Sequence, residues 1–561
     1  MQERIADLLK KAIKEKVEIN VAPPENGSFG HYSTNVAFQL AKIWGKSPME
    51  AANVIANNLK LITDNIFEKV EITSPGFINF WLKPEVFQKE LEVILKNKDK
   101  YGRNDNLKGQ KTIVEYTDPN PFKEFHIGHL MSNAIGESIA RLFEWNGAEV
   151  KRACYQGDVG MHVAKAVWGI RKLKTQNKKL DNNISELALA YAIGAKAYET
   201  DENAKLEINA INKKIYERSD KEINAIYDTG KKLSLEYFEK IYKKLGTKFD
   251  YYFFESGAGE YGKKIVEEGI KGGIFEKSEG AIIFRGENYG LHTRVFINSE
   301  KLPTYEAKEL GLAEIKHKRY AYDKSVVITG NEVNDYFKVV LAAMKIIFPK
   351  LAERTLHLSH GMLRLPSGKM SSRTGEVITA ESLIQEVQKL VAAKIKDRDL
   401  SEGEKNKIKE IVAIAAIKYS ILKQAVGGDI IFDFEKSISF EGDSGPYLQY
   451  ALTRAKSVLE KAEREGVKSS LKLALPEISE VEPMLSRFPE IIERAHKEFS
   501  PHYLITYLME LARVFNAYYA KVKIVDAADE YSPYKVALTA AFAQVMKNGL
   551  EVLTIQAPEK M

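Results

Sequence analysis

His126 and His129 stand three apart around Gly128 in the run Phe122 to Met131, FKEFHIGHLM. In the first turn of a helix they would join free backbone N–H groups and the positive end of the helix dipole, an arrangement that favours phosphate. Two imidazoles there can donate hydrogen bonds to oxygens that gain charge as a phosphoryl group is transferred. Gly128 has no side chain and lets a flat base approach the backbone. A second group lies about 240 residues downstream, Gly368-Lys369-Met370-Ser371-Ser372, where a lysine and two hydroxyls project from a segment bounded by Gly361, Gly368 and Gly375. Such a loop can close over a triphosphate, its ammonium meeting the leaving pyrophosphate. Taken singly, an H-x-x-H pair reads as polar residues at an exposed helix start and the lysine loop as a surface turn. Taken together they describe a cradle for ATP.

The elements that must position these groups are legible in the apolar pattern. The strand-like run Thr112 to Tyr116 precedes the histidines, and Leu130, Ile135, Ile139, Leu142 and Phe143 recur at helical spacing after them. From about Lys111, strands (Thr112 to Tyr116, Ala281 to Phe284, Ser325 to Gly330) alternate with longer helices, which predicts a doubly wound parallel sheet with ligands at the carboxyl ends of its strands. A stretch from about Arg171 to Phe249, rich in Lys, Glu, Asn and Ala, reads as a helical insertion with a solvated charged face. Before the sheet, an amphipathic helix (Ile5, Leu8, Leu9, Ile13), a turn-rich stretch (Pro23 to Gly30) and strands at Val70 to Ile72 and Phe77 to Leu82 predict a small mixed domain. After Leu390, helical patterns alone remain: Ile411 to Gln424, Tyr447 to Arg464, Pro489 to Glu498, Tyr503 to Lys523 and Lys535 to Thr554. The expected architecture is an α/β Rossmann-type domain over residues 109–390, with a small α+β domain over 1–108 and an all-α domain over 391–561.

The chain has 561 residues, 44% of them hydrophobic, enough for several cores. Its 83 Lys and Arg against 77 Asp and Glu give a net charge of +6, which permits a nucleic-acid partner without demanding one. A single cysteine, Cys154, excludes an internal disulfide and any multi-cysteine zinc site and fits a reducing cytoplasm; with no base motif beside it, Cys154 reads as buried packing. The longest apolar run, Ile411 to Ile417, is far below the ~20 residues of a membrane span. These features lead to the expectation of a soluble, cytoplasmic protein.

The ordered pair H-I-G-H and K-M-S-S resembles the two signatures of class I aminoacyl-tRNA synthetases. The run Glu115-Tyr116-Thr117-Asp118-Pro119-Asn120-Pro121-Phe122-Lys123-Glu124-Phe125-His126 is similar to the arginyl-tRNA synthetase version of the site. Four further segments agree: Phe29 to Asn35, Ser74 to Phe80, Ser439 to Tyr450 and the terminal Ala557 to Met561. The resemblance spans essentially the whole chain. It implies an N-terminal tRNA-binding domain, a catalytic domain and a helical anticodon-binding domain. It also implies ligation of L-arginine to tRNA(Arg) through an arginyl-adenylate, with activation requiring bound tRNA. ATP would lie against His126, Gly128, His129, Lys369, Met370, Ser371 and Ser372. His126, His129, Lys369 and Lys123 would stabilise charge on the transferring phosphate, with Mg²⁺ assisting and no protein metal site.

Reading an arginine side chain takes a carboxylate and further acceptors, because the guanidinium offers a planar fork of donors. Tyr305 and Glu309, four apart on one helical face with Thr304 as cap, match the family's Y-x-x-x-D segment; on composition alone Glu309 would be a solvated helix residue. By resemblance Asp118, Asn120 and His126 hold the amino and carboxylate groups, and Glu115 is a further candidate near the pocket. Three positions depart from the usual family pattern: Glu309 for Asp, Asp118 for a small residue, and Val333 for Gln. Asp158, in the family's G-D-x-G loop, is either structural or a ligand contact. For tRNA, Asn516 and Tyr519 on an aromatic-rich helix suit flipped anticodon bases, while Phe515 reads as core. Phe77 and Asn79 resemble the family's contacts to an exposed base of the tRNA elbow. A class I synthetase for another amino acid would keep both signatures, and a non-catalytic tRNA-binding paralogue would lose His126, His129 or Lys369. A monomer is expected.

Overall fold

Runs of Val, Ile and aromatic residues pair into a five-stranded parallel sheet: β1 (Lys111–Glu115), β2 (Glu149–Gln156), β3 (Tyr251–Phe254), β4 (Lys324–Gly330) and β5 (Thr355–His360), in the order β5-β4-β1-β2-β3. The computed structural model describes residues 1–62, 66–175, 183–364 and 379–561. β1 and β4 are buried along most of their length, as parallel strands covered on both faces must be. The chain winds from β1 to β2 and β3 on one side and returns to β4 and β5 on the other. The carboxyl end of β1 is therefore a switch point, where the crevice of such a sheet opens.

Helix α1 (Ile127–Trp145) follows β1, and its Gly136 admits the Tyr116 ring so closely that a Cβ would lie 2.2 Å from it. Between β2 and β3 run α2 (Met161–Thr175), α3 (Ile184–Thr200), α4 (Glu202–Glu217) and α5 (Lys221–Leu245). They build their own apolar core around Trp168, Ile208, Ile211 and Tyr227. These helices are the insertion expected from the sequence, and many of its charges sit in exposed ion pairs such as Arg218 with Asp228. Helix α6 (Glu255–Lys271) follows β3, and α7 (Tyr305–Arg319) and α8 (Asn334–Ile347) flank β4.

Two strands depart from expectation: Ile430–Ile431, within the stretch expected to be all helical, pairs in parallel with Leu363–Arg364, and the other is Ala281–Phe284. Ala281–Phe284 does not join the parallel sheet; it forms a three-stranded antiparallel sheet with Glu276–Ser278 and Arg294–Ile297. The reason is local: Glu279 and Gly280 both have positive φ, 49° and 82°, and make the two-residue turn that folds a strand back on its neighbour.

The first domain carries strands Val21–Ala22, Tyr32–Thr34, Phe77–Leu82 and Phe67–Thr73, side by side in that order and antiparallel, against helices Gln2–Ala12, Val36–Trp44 and Pro48–Lys60. Its core is separate from the rest. The last region is helical, with Glu402–Leu422, Gly445–Arg464, Phe488–Lys497, His502–Lys521 and Ser532–Val552, and its apolar interior is continuous with α1. Lys418 ties that region to the insertion: buried, it donates to the carbonyl of Leu245 at the end of α5 (2.6 Å) and to that of Thr554 (2.9 Å). Two short helices, Phe434–Ser437 and Val481–Ser486, are too brief to leave a periodic trace in the sequence.

Candidate active site

Helix α1 starts on His126. The Gly128 N–H donates to His126 Nδ1 (3.1 Å), and the His126 N–H donates to His129 Nδ1 (3.2 Å). A backbone N–H can only donate, so both Nδ1 atoms are acceptors and each neutral ring carries its proton on Nε2. The rings stack with centroids 3.5 Å apart. Burial, then the Lys123 ammonium, holds His126 down at about 4; burial, then His126 and Lys123, holds His129 well below the ordinary histidine range. Two uncharged Nε2–H donors therefore sit at a helix start at neutral pH. The space freed by Gly128 is bordered by the His126 ring, whose Cε1 would lie 3.0 Å from a Cβ there.

The connection from β1 to α1 is bent into conformations that ordinary residues avoid. Thr117, Asp118 and Phe122 have φ of 83°, 46° and 68°. Such residues cost about 1–3 kcal/mol each and persist only where their surroundings fix them. Here buried hydrogen bonds do so. The Thr117 N–H donates to Ser132 Oγ (2.9 Å), which donates to the Ile328 carbonyl (3.1 Å); Asn133 donates to Thr117 Oγ1 (3.0 Å). The Phe122 N–H donates to Ser234 Oγ on α5 (2.9 Å), and the Tyr155 N–H donates to Asp118 Oδ1 (2.7 Å). Asn120 packs so closely on Gly157 that a Cβ there would lie 2.2 Å from its Oδ1.

Asp158 has a structural part. Buried, it accepts from Lys231 Nζ (2.7 Å), Tyr227 Oη (2.8 Å), and the Ser256 N–H (2.9 Å) and Oγ (2.7 Å), fastening α5 and α6 to the end of β2. Tyr237 of α5 donates to Glu381 (3.0 Å), and the Phe125 N–H reaches the same hydroxyl (3.5 Å). Cys154 is buried, with Sγ 3.6 Å from Tyr242 Oη, as packing requires.

At Asp118 the same connection joins a group of acidic side chains that act on one another, here called the acidic slot. Two of its carboxylates have cations: Glu115 pairs with Lys316 (2.8 Å) and Glu255 with Lys308 (2.6 Å), all four buried. Asp118 and Glu309 have no ion pair among the described residues, and both are half-buried. Burial and the Glu115 charge push both carboxyls upward, Glu309 to about 8, with Lys316 opposing in each case. The Tyr155 hydroxyl is buried without a hydrogen-bond partner among the described residues, and the charges of Glu255, Glu309 and Glu115 act on it. A slot of this kind favours a cation that brings several donors.

The residues expected from the sequence are thus only partly brought together. Asp118, Asn120, Lys123, His126, Gly128 and His129 share one connection and one helix start. Glu309 faces the same acidic group, but Glu115, 1% exposed and closed off by Lys316, acts on the slot through its charge. Tyr305 is 61% exposed at the rim, with the Lys308 ammonium 5.2 Å from its ring centroid. Thr304 does not cap α7; its hydroxyl donates to the Val295 carbonyl (2.7 Å) instead. Lys369, Met370, Ser371 and Ser372 lie outside the described residues. Thr379, the next described residue after that stretch, bridges to His126, and the Ala380 N–H donates to the Phe125 carbonyl (2.7 Å).

Farther away, Phe77 and Asn79 line a cleft of 620 Å³ in the first domain together with Phe29, Asn35 and Thr73. Phe77 is exposed, while Asn79 is buried and donates to Thr73 Oγ1 (3.0 Å). Asn516 accepts from Arg454 (2.7 Å) and donates to Tyr447 Oη (3.0 Å), and the Arg454 guanidinium lies between the rings of Tyr450 and Tyr519. Phe515 is buried, stacked on Phe542 at 3.7 Å. Sequence reasoning missed Glu255 and Arg454, which sit in no motif with local spacing, and gave no role to Tyr155 and Lys308, although both fall in segments singled out for their neighbours.

Comparison with known proteins bears on the family and the fold. Residues 1–82 match the family described as arginyl tRNA synthetase N terminal domain, residues 90–434 that of tRNA synthetases class I (R), catalytic domain, and residues 448–561 the DALR anticodon binding domain. The arginine–tRNA ligase of Clostridium acetobutylicum is 31% identical over 100% of this chain and 98% of its own length. That of Treponema denticola is 30% identical over 100% and 99%. Among solved structures, the Thermus thermophilus arginyl-tRNA synthetase superposes with a TM-score of 0.83 over all of both chains at 23% identity, and the Plasmodium falciparum enzyme with 0.78 over 100% and 99% at 21% identity. Full-length likeness in sequence, and matching folds in all three regions, show that this chain belongs to the arginyl-tRNA synthetase family, the class I ligases that charge tRNA with arginine.

Proposed function

We propose that the acidic slot and the histidine turn divide the two substrates of arginine activation between them. Glu309 and Asp118 take the positive groups of L-arginine, the guanidinium at Glu309 with Tyr155 as a further acceptor, and the amino group at Asp118. Asn120 and His126 orient the α-carboxylate. ATP lies along the start of α1 against Gly128, with Nε2–H of His126 and His129, Lys123, and Lys369 with Met370, Ser371 and Ser372 serving its phosphates. A carboxylate oxygen of arginine attacks the α-phosphorus, and the bond to the β-phosphate oxygen breaks. The products are arginyl-adenylate and pyrophosphate, whose growing charge the neutral imidazoles and lysines stabilise. The terminal ribose 2′-hydroxyl of tRNA(Arg) then attacks the carbonyl, and AMP leaves. Mg²⁺ is read as part of the nucleotide substrate, bridging its phosphates.

What carries this reading is one connection that holds Asp118 at its start and two uncharged N–H donors at its end, with Asp118 and Glu309 free of ion pairs among the described residues. For tRNA, Phe77 and Asn79 take an exposed base in the cleft of the first domain, and Tyr519, Asn516 and Arg454 meet the anticodon. Residues 1–108 and 391–561 would then supply binding and 109–390 the chemistry. A charging assay over all twenty amino acids tests it: arginine alone should be attached to tRNA(Arg), and equal charging of a neutral amino acid would remove the slot from substrate choice. Pyrophosphate exchange, run with and without tRNA, should depend on it.

A further inference from the structure

Lys123 belongs to the connection before α1, but the group that stands against its ammonium comes from the insertion. The ring centroid of Tyr191, on α3, lies 4.8 Å from Lys123 Nζ. No carboxylate among the described residues forms an ion pair with this ammonium. The ring is held in place by the way α3 meets α2. A Cβ on Gly169 would lie 2.0 Å from the Ala190 carbonyl oxygen, and a Cβ on Gly194 would lie 2.0 Å from that of Lys165. The two backbones therefore touch on either side of Tyr191, one residue before it and three after it. Helix α2 itself springs from the turn after Asp158, so its position is set by the end of β2.

The choice of an aromatic face over a carboxylate has a chemical consequence. A carboxylate beside Lys123 would neutralise the charge that a triphosphate needs. A ring restrains the ammonium through its quadrupole and leaves the charge available. That charge reaches the signature turn, since it is among the causes that keep His126 and His129 uncharged.

We propose that Tyr191 is a positioning residue for adenylate formation, an aromatic platform lent by the insertion that aims the Lys123 ammonium at the phosphates of ATP. This rests on the reading of Lys123 as a phosphate contact. The test is tRNA-dependent pyrophosphate exchange by the full chain with Tyr191 replaced by Phe, by phenylalanines carrying one to three ring fluorines, and by Leu, each with Lys123 intact and with Lys123→Met. Fluorination hardly changes shape but weakens the ring face, so it keeps the helix packing. We expect Tyr191→Phe to stay within about twofold of the parent, kcat to fall stepwise with fluorination, and Tyr191→Leu to lose about 3- to 30-fold in kcat with the arginine KM unchanged. In the Lys123→Met background these losses should vanish. Equal losses in both backgrounds, or a Phe variant as poor as Leu, would overturn the platform. A Lys123→Met enzyme with parental kcat would instead strike at the phosphate role of Lys123 itself.

Discussion

The histidine turn and the acidic slot meet opposite charges by the same device. On the proposed reading the turn receives phosphate, and its imidazoles are uncharged because burial and a nearby lysine keep protons off them. On the same reading the slot receives a guanidinium, while burial and crowding favour protons on Asp118 and Glu309. The turn offers neutral N–H donors, whereas the slot offers carboxyls that a cation would ionise. The difference lies in what fixes them. The turn is held by hydrogen bonds from its own backbone, whereas the slot is assembled from β1, β2, α6 and α7, with buried ion pairs at its back.

The largest break in this comparison should come from the turn. Replacing His129 by Ala removes a preorganised donor and should lower the kcat of pyrophosphate exchange by about 100- to 1000-fold, with equilibrium arginine binding nearly intact. Unchanged exchange would mean the phosphates lie elsewhere. In the slot, Glu309→Gln should raise the arginine KM by about 10- to 100-fold and leave that of ATP alone, as expected for losing a charged hydrogen-bond partner. An unaffected KM would place the guanidinium outside the slot.

Protons sharpen the contrast. Since the guanidinium favours ionised carboxylates, arginine binding at pH 7 should release roughly one proton, and less as pH rises above Glu309's value of about 8. Calorimetry in buffers of different ionisation enthalpy reads this directly; proton uptake would reverse the assignment. The turn should show its signature in stability. The unfolded chain takes up histidine protons from about pH 6.5 downward, whereas folded His126 resists to about 4. Its contribution is thus fully present above 6.5 and lost as pH falls toward 4. Thermal melts should fall over that window, and His126→Gln should flatten the decline slightly.

The same contrast explains what could be read from the chain alone. The turn was legible because its chemistry is local: strand, bend, histidine, glycine, histidine and apolar helix follow one another within a few dozen residues. The slot was legible only at Asp118, Asn120 and Glu309. Glu115 and Lys316 are 201 residues apart and Glu255 and Lys308 are 53 apart, and no spacing rule announces that they pair. The sequence makes Glu115 a candidate near the pocket, but nothing in it announces the ion pair with Lys316. The strand at Ala281 was recognised, but its sheet was not, because pairing there depends on the turn at Glu279 and Gly280. Tyr191 sat in what read as a solvated charged stretch; the glycines that press its helix home are separated by a segment of unremarkable composition.

Helix α5 bears on how the insertion can drift over evolutionary time. Lys231, Ser234 and Tyr237 face the two signature neighbourhoods, and the Leu245 carbonyl receives Lys418 from the far domain. One added residue between Tyr237 and Leu245 would turn one end about 100° against the other, given 3.6 residues per turn. Point substitutions on the outer side should be tolerated freely, whereas insertions and deletions should be confined to the loops before Lys221, making that span a ruler of fixed length inside an otherwise variable appendage.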